Sequence, residues 1–93
     1  MSKYSINFTS QFKKDLKLAE KQHRNLNELF DIIDKLANGE ILEHRYHDHP
    51  LKGKFNSRRD CHIEPDFVLI YQIFKEELVL MLYRIGSRSD LFE

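Results

Sequence analysis

Residues Tyr4 to Phe8 alternate, with Tyr4, Ile6 and Phe8 on one face and Ser5 and Asn7 on the other. That period of two predicts a short half-buried strand. Thr9 and Ser10 then offer an N-cap. Phe12, Leu16 and Ala19 recur at helical spacing among charges, so a first amphipathic helix is expected to run to about Lys21. His23 to Asn25 is a short break. Asn25 and Glu28 have the spacing of a capping box. Leu26, Leu29, Phe30, Ile33, Leu36 and Ala37 form a second apolar stripe, which Asn38 and Gly39 end. A break this short makes an antiparallel helical hairpin. Helices of this length need a partner surface in water.

The second half of the chain supplies it. Glu40 to Pro50 is irregular. Strands are expected over Leu51–Phe55, Arg58–Glu64, Phe67–Phe74 and Leu78–Arg84, with Pro65 in one turn and Lys75, Glu76 and Glu77 in another. The last two strands are apolar on both faces, which places them centrally and covered on both sides. The helical hairpin covers one face; the other must be covered by something else or hold a site. The expected class is α/β (α+β). A two-helix N-terminal hairpin packs on a mainly antiparallel sheet of four or five strands, with the N-terminal strand as an edge.

At 93 residues the chain makes a single domain, 1–93. Fifteen basic residues balance fifteen acidic ones, which argues against bulk polyanion binding. The lone cysteine, Cys61, excludes an internal disulfide framework and a multi-cysteine zinc site, and suits a reducing, cytoplasmic setting. No stretch approaches a bilayer span and no export signal is expected, so no membrane partner is either.

The balance is not uniform. Between His44 and His62, Arg45, Lys52, Lys54, Arg58 and Arg59 face only Asp48 and Asp60, and four of the five histidines lie there. This segment reads either as a phosphate-facing surface or as a solvated loop with incidental charge. A metal site from His47, Asp48, His49 and His62 has suitable donors but no recognised spacing. Cys61 faces away from His62 on an alternating strand and reads as a small buried residue. His49, His62, Asp66 and Arg84 are a set that could converge at one end of the sheet. Histidine exchanges protons near neutrality and arginine holds a phosphate by two N–H bonds. Those are the requirements of RNA cleavage without a metal.

Three ordered stretches go further: Asp48-His49-Pro50-Leu51-Lys52-Gly53-Lys54, then Arg59 through Tyr71, then Arg84-Ile85-Gly86-Ser87 with Asp90-Leu91-Phe92. Together with the helical hairpin they resemble the YafQ branch of the RelE/ParE toxin superfamily over essentially the whole chain. The resemblance implies a RelE-like fold and a bacterial type II toxin. Such a toxin cuts mRNA in the ribosomal A site by 2′-OH attack on the adjacent phosphate, with no metal or other cofactor. Its implied partners are the ribosome, the mRNA and a cognate antitoxin of the DinJ/RelB kind, with operator DNA reached only through the antitoxin. Carried over by position, His49, His62 and Asp66 are the acid–base groups and Arg84 binds phosphate. Phe67 and Phe92 are aromatics at the substrate, and Lys52, Lys54, Arg58, Arg59 and Ser87 complete substrate binding. The branch has a histidine where this chain has Arg88, whose guanidinium exchanges no protons near neutrality but still binds phosphate. Either the remaining groups carry proton transfer, or the chain is a weakened member that binds antitoxin without cutting. The gyrase-poisoning ParE branch is disfavoured by the acid–base set. Arg84 is expected to matter for cleavage and little for stability.

Overall fold

The computed structural model describes residues 2–53 and 57–92. They form β1 (Ser5–Phe8), α1 (Ser10–Lys21), α2 (Leu26–Ala37), a single 3-10 turn (His44–Tyr46), β2 (His49–Pro50), β3 (Arg59–Glu64), β4 (Phe67–Phe74), β5 (Val79–Gly86) and α3 (Arg88–Phe92). The architecture is the expected α/β one. Among the described residues no helix is long and apolar enough to cross a membrane.

Local chemistry sets both ends of both long helices. Thr9 Oγ1 accepts from the Phe12 N–H at 2.9 Å and donates to the Tyr83 carbonyl at 2.8 Å, so one hydroxyl caps α1 and ties it to β5. Asn25 Oδ1 accepts from the Glu28 N–H at 3.1 Å. The reciprocal half of the expected capping box is absent, because the Glu28 carboxylate instead receives the Tyr46 hydroxyl and faces Arg45. Each helix ends in a paired 6→1 and 5→2 closure. Arg24 N bonds Ala19 O and His23 N bonds Glu20 O; Glu40 N bonds Lys35 O and Gly39 N bonds Leu36 O. The residue after each cap is left-handed, Gly39 at φ +79° and His23 at φ +57°.

The sheet runs β1-β5-β4-β3-β2. β4 is central and antiparallel to β3 and β5, β2 is antiparallel to β3, and β1 joins β5 in parallel as an edge. The helix-facing core gathers Phe12 and Ala19 of α1 and Leu29, Ile32, Ile33, Leu36 and Ala37 of α2. Against them lie Cys61 and Ile63 of β3, Phe67, Leu69 and Tyr71 of β4, and Leu80, Leu82 and Ile85 of β5. Val68 and Ile70 are also buried but lie outside that cluster, on the opposite face, in register with His62 and Asp60.

Four expectations need correction. The strand placed at Leu51–Phe55 begins two residues earlier and is only His49–Pro50. Pro50 has no N–H, and one further bond, Leu51 N to Arg58 O at 2.8 Å, completes the contact. The distal part of that expected strand, residues 54–55, lies outside the described residues. The face of β1 is not half-buried: Ile6 and Phe8 are exposed, because the helices pack inward of this edge, and only Tyr4 before it is buried. The α2 stripe is rotated, with Ile32 buried and Phe30 exposed, since 29, 32, 33, 36 and 37 satisfy the helical period equally well. Leu78 sits in the turn at φ +57°, so β5 starts at Val79 and extends to Gly86, and the unforeseen α3 follows.

His23 adopts a conformation that costs an L-residue about 1–2 kcal/mol. His23→Gly removes that strain and frees the unfolded chain by a smaller amount. The expected net gain is about 0.5–1 kcal/mol, a rise of a few degrees in Tm by thermal unfolding.

Candidate active site

β2 and β3 pair so that His49 faces Asp60, and alternation along β3 puts Asp60 and His62 on the same face. His49 Nε2 lies 2.9 Å from Asp60 Oδ1, and the Asp60 side chain is 3% exposed. That contact has ion-pair distance without hydrogen-bond alignment, so among the described residues Oδ1 has no well-formed hydrogen bond. His49 Nδ1 meets the His47 carbonyl at 2.5 Å, which requires a proton on Nδ1. A carboxylate against an unprotonated Nε2 would place two lone pairs in contact. The pair therefore holds a proton, on Nε2 as imidazolium or on Asp60 as the acid. Burial raises the Asp60 pKa, and His49, His62 and Arg88 pull it back only in part.

His62 stands beside this pair. Its ring centroid is 6.2 Å from that of His49 and 5.5 Å from that of His47. Arg88 Nη1 is 3.2 Å from His62 Nε2. A guanidinium only donates, so Nε2 accepts and the proton of His62 sits on Nδ1. Burial lowers the His62 pKa, and Arg88, His47 and His49 add to this against the opposing pull of Asp60. His62 is thus a neutral imidazole at neutral pH.

Asp66, in the β3–β4 turn, accepts the Arg88 N–H on Oδ1 at 3.1 Å. The Asp66 carbonyl accepts from Arg24 Nη1 at 3.1 Å. The turn thereby links the end of α1 to the start of α3. Phe92, exposed at the far end of α3, has its ring 5.8 Å from the Arg88 guanidinium. His49, His62, Asp66, Arg88 and Phe92 thus form one connected neighbourhood. His47 and Asp60 belong to it as well and were not singled out as acid–base groups. The signal available was the spacing of two, His47 with His49 and Asp60 with His62, read across a strand pair.

Other expected residues are placed differently. The Arg84 guanidinium makes two bonds of 3.0 Å to the Asp15 carboxylate, which also accepts the Ile85 N–H at 3.2 Å and the Gln11 amide at 3.1 Å. β1 has left β5 by this point, and Asp15 satisfies the exposed strand edge in its place. Arg84 is a fastening between α1 and β5, which reverses the expectation that it matters little for stability. Phe67 is fully buried in the core under the Arg24 guanidinium, not presented to a ligand. Ser87 is buried; its Oγ accepts the Asp90 N–H at 3.1 Å and caps α3. Arg59 Nε and the Tyr71 hydroxyl both donate to Asp48 Oδ1, at 3.1 and 2.6 Å, bracing the loop that carries His47 and His49. Arg58 covers the Tyr83 ring at 3.8 Å, Lys52 is exposed, and Lys54 lies outside the described residues. Cys61 is buried and burial pushes its thiol pKa upward, which removes it as a nucleophile.

Comparison with known proteins agrees with the mixed α/β fold. Residues 4–93 match the family of the bacterial toxin of type II toxin-antitoxin system, YafQ. The mRNA interferase toxin YafQ of Escherichia coli K12 is 38% identical over 93 residues, covering 99% of each chain. The crystal structure of the E. coli DinJ-YafQ toxin-antitoxin complex contains a chain of TM-score 0.89 and 37% identity, with 98% of this chain and 99% of that one covered. A metal-bound toxin from Helicobacter pylori has TM-score 0.90 and 43% identity, with 96% and 99% covered. The fold defines a RelE-like toxin. Within that class, the chain belongs to the YafQ family of type II toxins. Among the described residues no three His, Cys, Asp or Glu side chains bring their donor atoms together for a metal ion.

Two outcomes are expected. Arg84→Ala leaves the Asp15 carboxylate buried without its guanidinium and should cost about 2–4 kcal/mol by denaturant unfolding. Asp60 has a raised pKa in the folded state, so the fold loses stability as pH rises through the ordinary carboxylate value of 3.8. Asp60→Asn should therefore melt higher than the parent at pH 7, and the gap should close below about pH 4.

Proposed function

We propose that this chain is a type II toxin that cuts mRNA in the ribosomal A site without a metal, and that a DinJ-like antitoxin neutralises it. The observation that carries this reading is the juxtaposition of a pair holding a proton, His49 with Asp60, and a neutral imidazole, His62, with the Arg88 guanidinium against it. RNA cleavage by its own 2′-OH needs one group to take a proton and another to give one. The 2′-oxygen bonds to phosphorus as the bond to the 5′-oxygen breaks. The His49–Asp60 pair supplies the proton to the departing 5′-oxygen, which requires Nε2 to turn from Asp60 because Nδ1 is held by the His47 carbonyl. A neutral imidazole on the other side accepts the 2′-proton. Arg88 stabilises the negative charge that develops on the phosphate oxygens, and Asp66 fixes the backbone that presents it. Arg59 lines the hollow beside His49, and it, Arg58 and Lys52 are offered as cations for the polynucleotide. The products are a 2′,3′-cyclic phosphate and a 5′-hydroxyl.

The chain's zero formal charge gives it weak attraction for free RNA, so the ribosome contributes the positioning. One observation favours a second reading, an antitoxin-binding module that does not cut: Arg88 is a cation and not a proton carrier.

Cleavage of mRNA on programmed ribosomes, mapped by primer extension, tests both. The chain should cut in the A site and leave ribosome-free mRNA largely intact, and His49→Gln should slow cutting at least about 100-fold. Absence of cutting by the unaltered chain, with antitoxin affinity retained, would establish the binding module instead.

A further inference from the structure

The mechanism leaves open which imidazole takes the 2′-proton, and the geometry points away from His62. In the free protein His62 Nε2 already receives the Arg88 guanidinium at 3.2 Å, while its Nδ1 carries the proton. Using Nε2 as a base would require that contact to break. Of the three imidazoles, His47 is the one whose ring nitrogens are not engaged among the described residues: His62 Nε2 meets Arg88, and both nitrogens of His49 are taken. His47 is exposed, its ring makes no hydrogen bond among the described residues, and its centroid lies 5.5 Å from that of His62. It also lines two hollows. One is lined by His47, Asp48, His49 and Arg59, the other by His47, His62, Glu64 and Pro65. A nucleotide lying across the site would pass this ring in either direction.

The backbone fixes His47 there. Its N–H bonds the His44 carbonyl at 3.1 Å, closing the 3-10 turn, and its own carbonyl holds His49 Nδ1. Its φ is +50°, a left-handed conformation that a β-carbon disfavours.

We propose that His47 is a catalytic residue of this site, the base that accepts the 2′-proton, with His62 positioning Arg88 against the phosphate. This rests on the ribonuclease reading above. In the step, the electrons of the 2′-O–H bond form the new bond to phosphorus and the proton passes to a His47 ring nitrogen. The electrons of the P–O5′ bond leave with the 5′-oxygen, which takes its proton from the His49–Asp60 pair. No oxidant, reductant or further reactant enters.

The left-handed backbone makes the test clean, because glycine adopts φ +50° without strain. His47→Gly keeps the fold, which circular dichroism and Tm verify, and opens a space beside His62 for free imidazole. On programmed ribosomes His47→Gly should cut about 100-fold more slowly. Its rate should lose the dependence on a neutral imidazole at acidic pH, and added imidazole should restore cutting in proportion to the neutral form present. Cutting by His47→Gly at the parent rate overturns the assignment while leaving the ribonuclease reading intact. A slowed variant that keeps the parent pH profile and ignores imidazole also overturns it. If the unaltered chain does not cut, the ribonuclease reading fails and the assignment fails with it.

Discussion

The site depends on a two-residue strand. β2 is only His49 and Pro50, yet its pairing with β3 decides that His49 meets Asp60 and not its neighbour. A slip of one residue would turn the imidazole to the other face and leave a nearly inaccessible carboxylate alone. That carboxylate is costly to bury, and what offsets the cost is a proton shared with His49. Register and proton inventory are thus one constraint. So short a strand cannot set its register by its own ladder. Asp48 does it from one residue away, gripped by Arg59 of β3 and Tyr71 of β4.

A second carboxylate does comparable structural work at the C-terminal end of β5. Asp15 takes donors from Gln11, Arg84 and the Ile85 backbone, closing the edge that β1 leaves unpaired. From there the chain passes through Gly86 and the capping Ser87 into α3, which carries Arg88 back to His62 and Asp66. Arg84 and Ser87 shape the site by holding the segment that enters it. Position near a site and contact with a substrate are separate properties, and these two residues have the first.

Much of this was legible before any coordinates. Thr9 and Asn25 announced their helices, Pro65 and the Lys75–Glu77 run announced turns, and the uninterrupted apolar run of β4 announced a central strand. The exchange of Ile32 for Phe30 was not legible, because two stripes of equal helical period differ only in which face a sheet covers. Arg84 and Phe67 misled for a related reason. A basic or aromatic residue at the right point of a motif looks the same whether it faces a ligand, a buried aspartate or the core. Asp60 was overlooked because its partner His49 lies on another strand, and no local pattern announces a two-residue pairing interrupted by proline.

The cations around the imidazoles decide which protonation states are available. Arg88 and His47 both oppose protonation of His62, and burial does the same, while Asp60 alone among the named charges favours it. A fourth imidazole in place of Arg88 would be free to shed its charge; a guanidinium is not. Arg88 therefore keeps a permanent positive charge at this point, where it suits a phosphate and holds the neighbouring ring neutral. For the proposed cleavage the gain is a fixed electrostatic partner for the phosphate, and the loss is one mobile proton. Asp60 supplies the only buried negative charge named in the cluster and keeps one proton on the pair with His49. The asymmetry is therefore one of charge: a proton is kept on the side of the carboxylate, and the ring beside the guanidinium stays neutral.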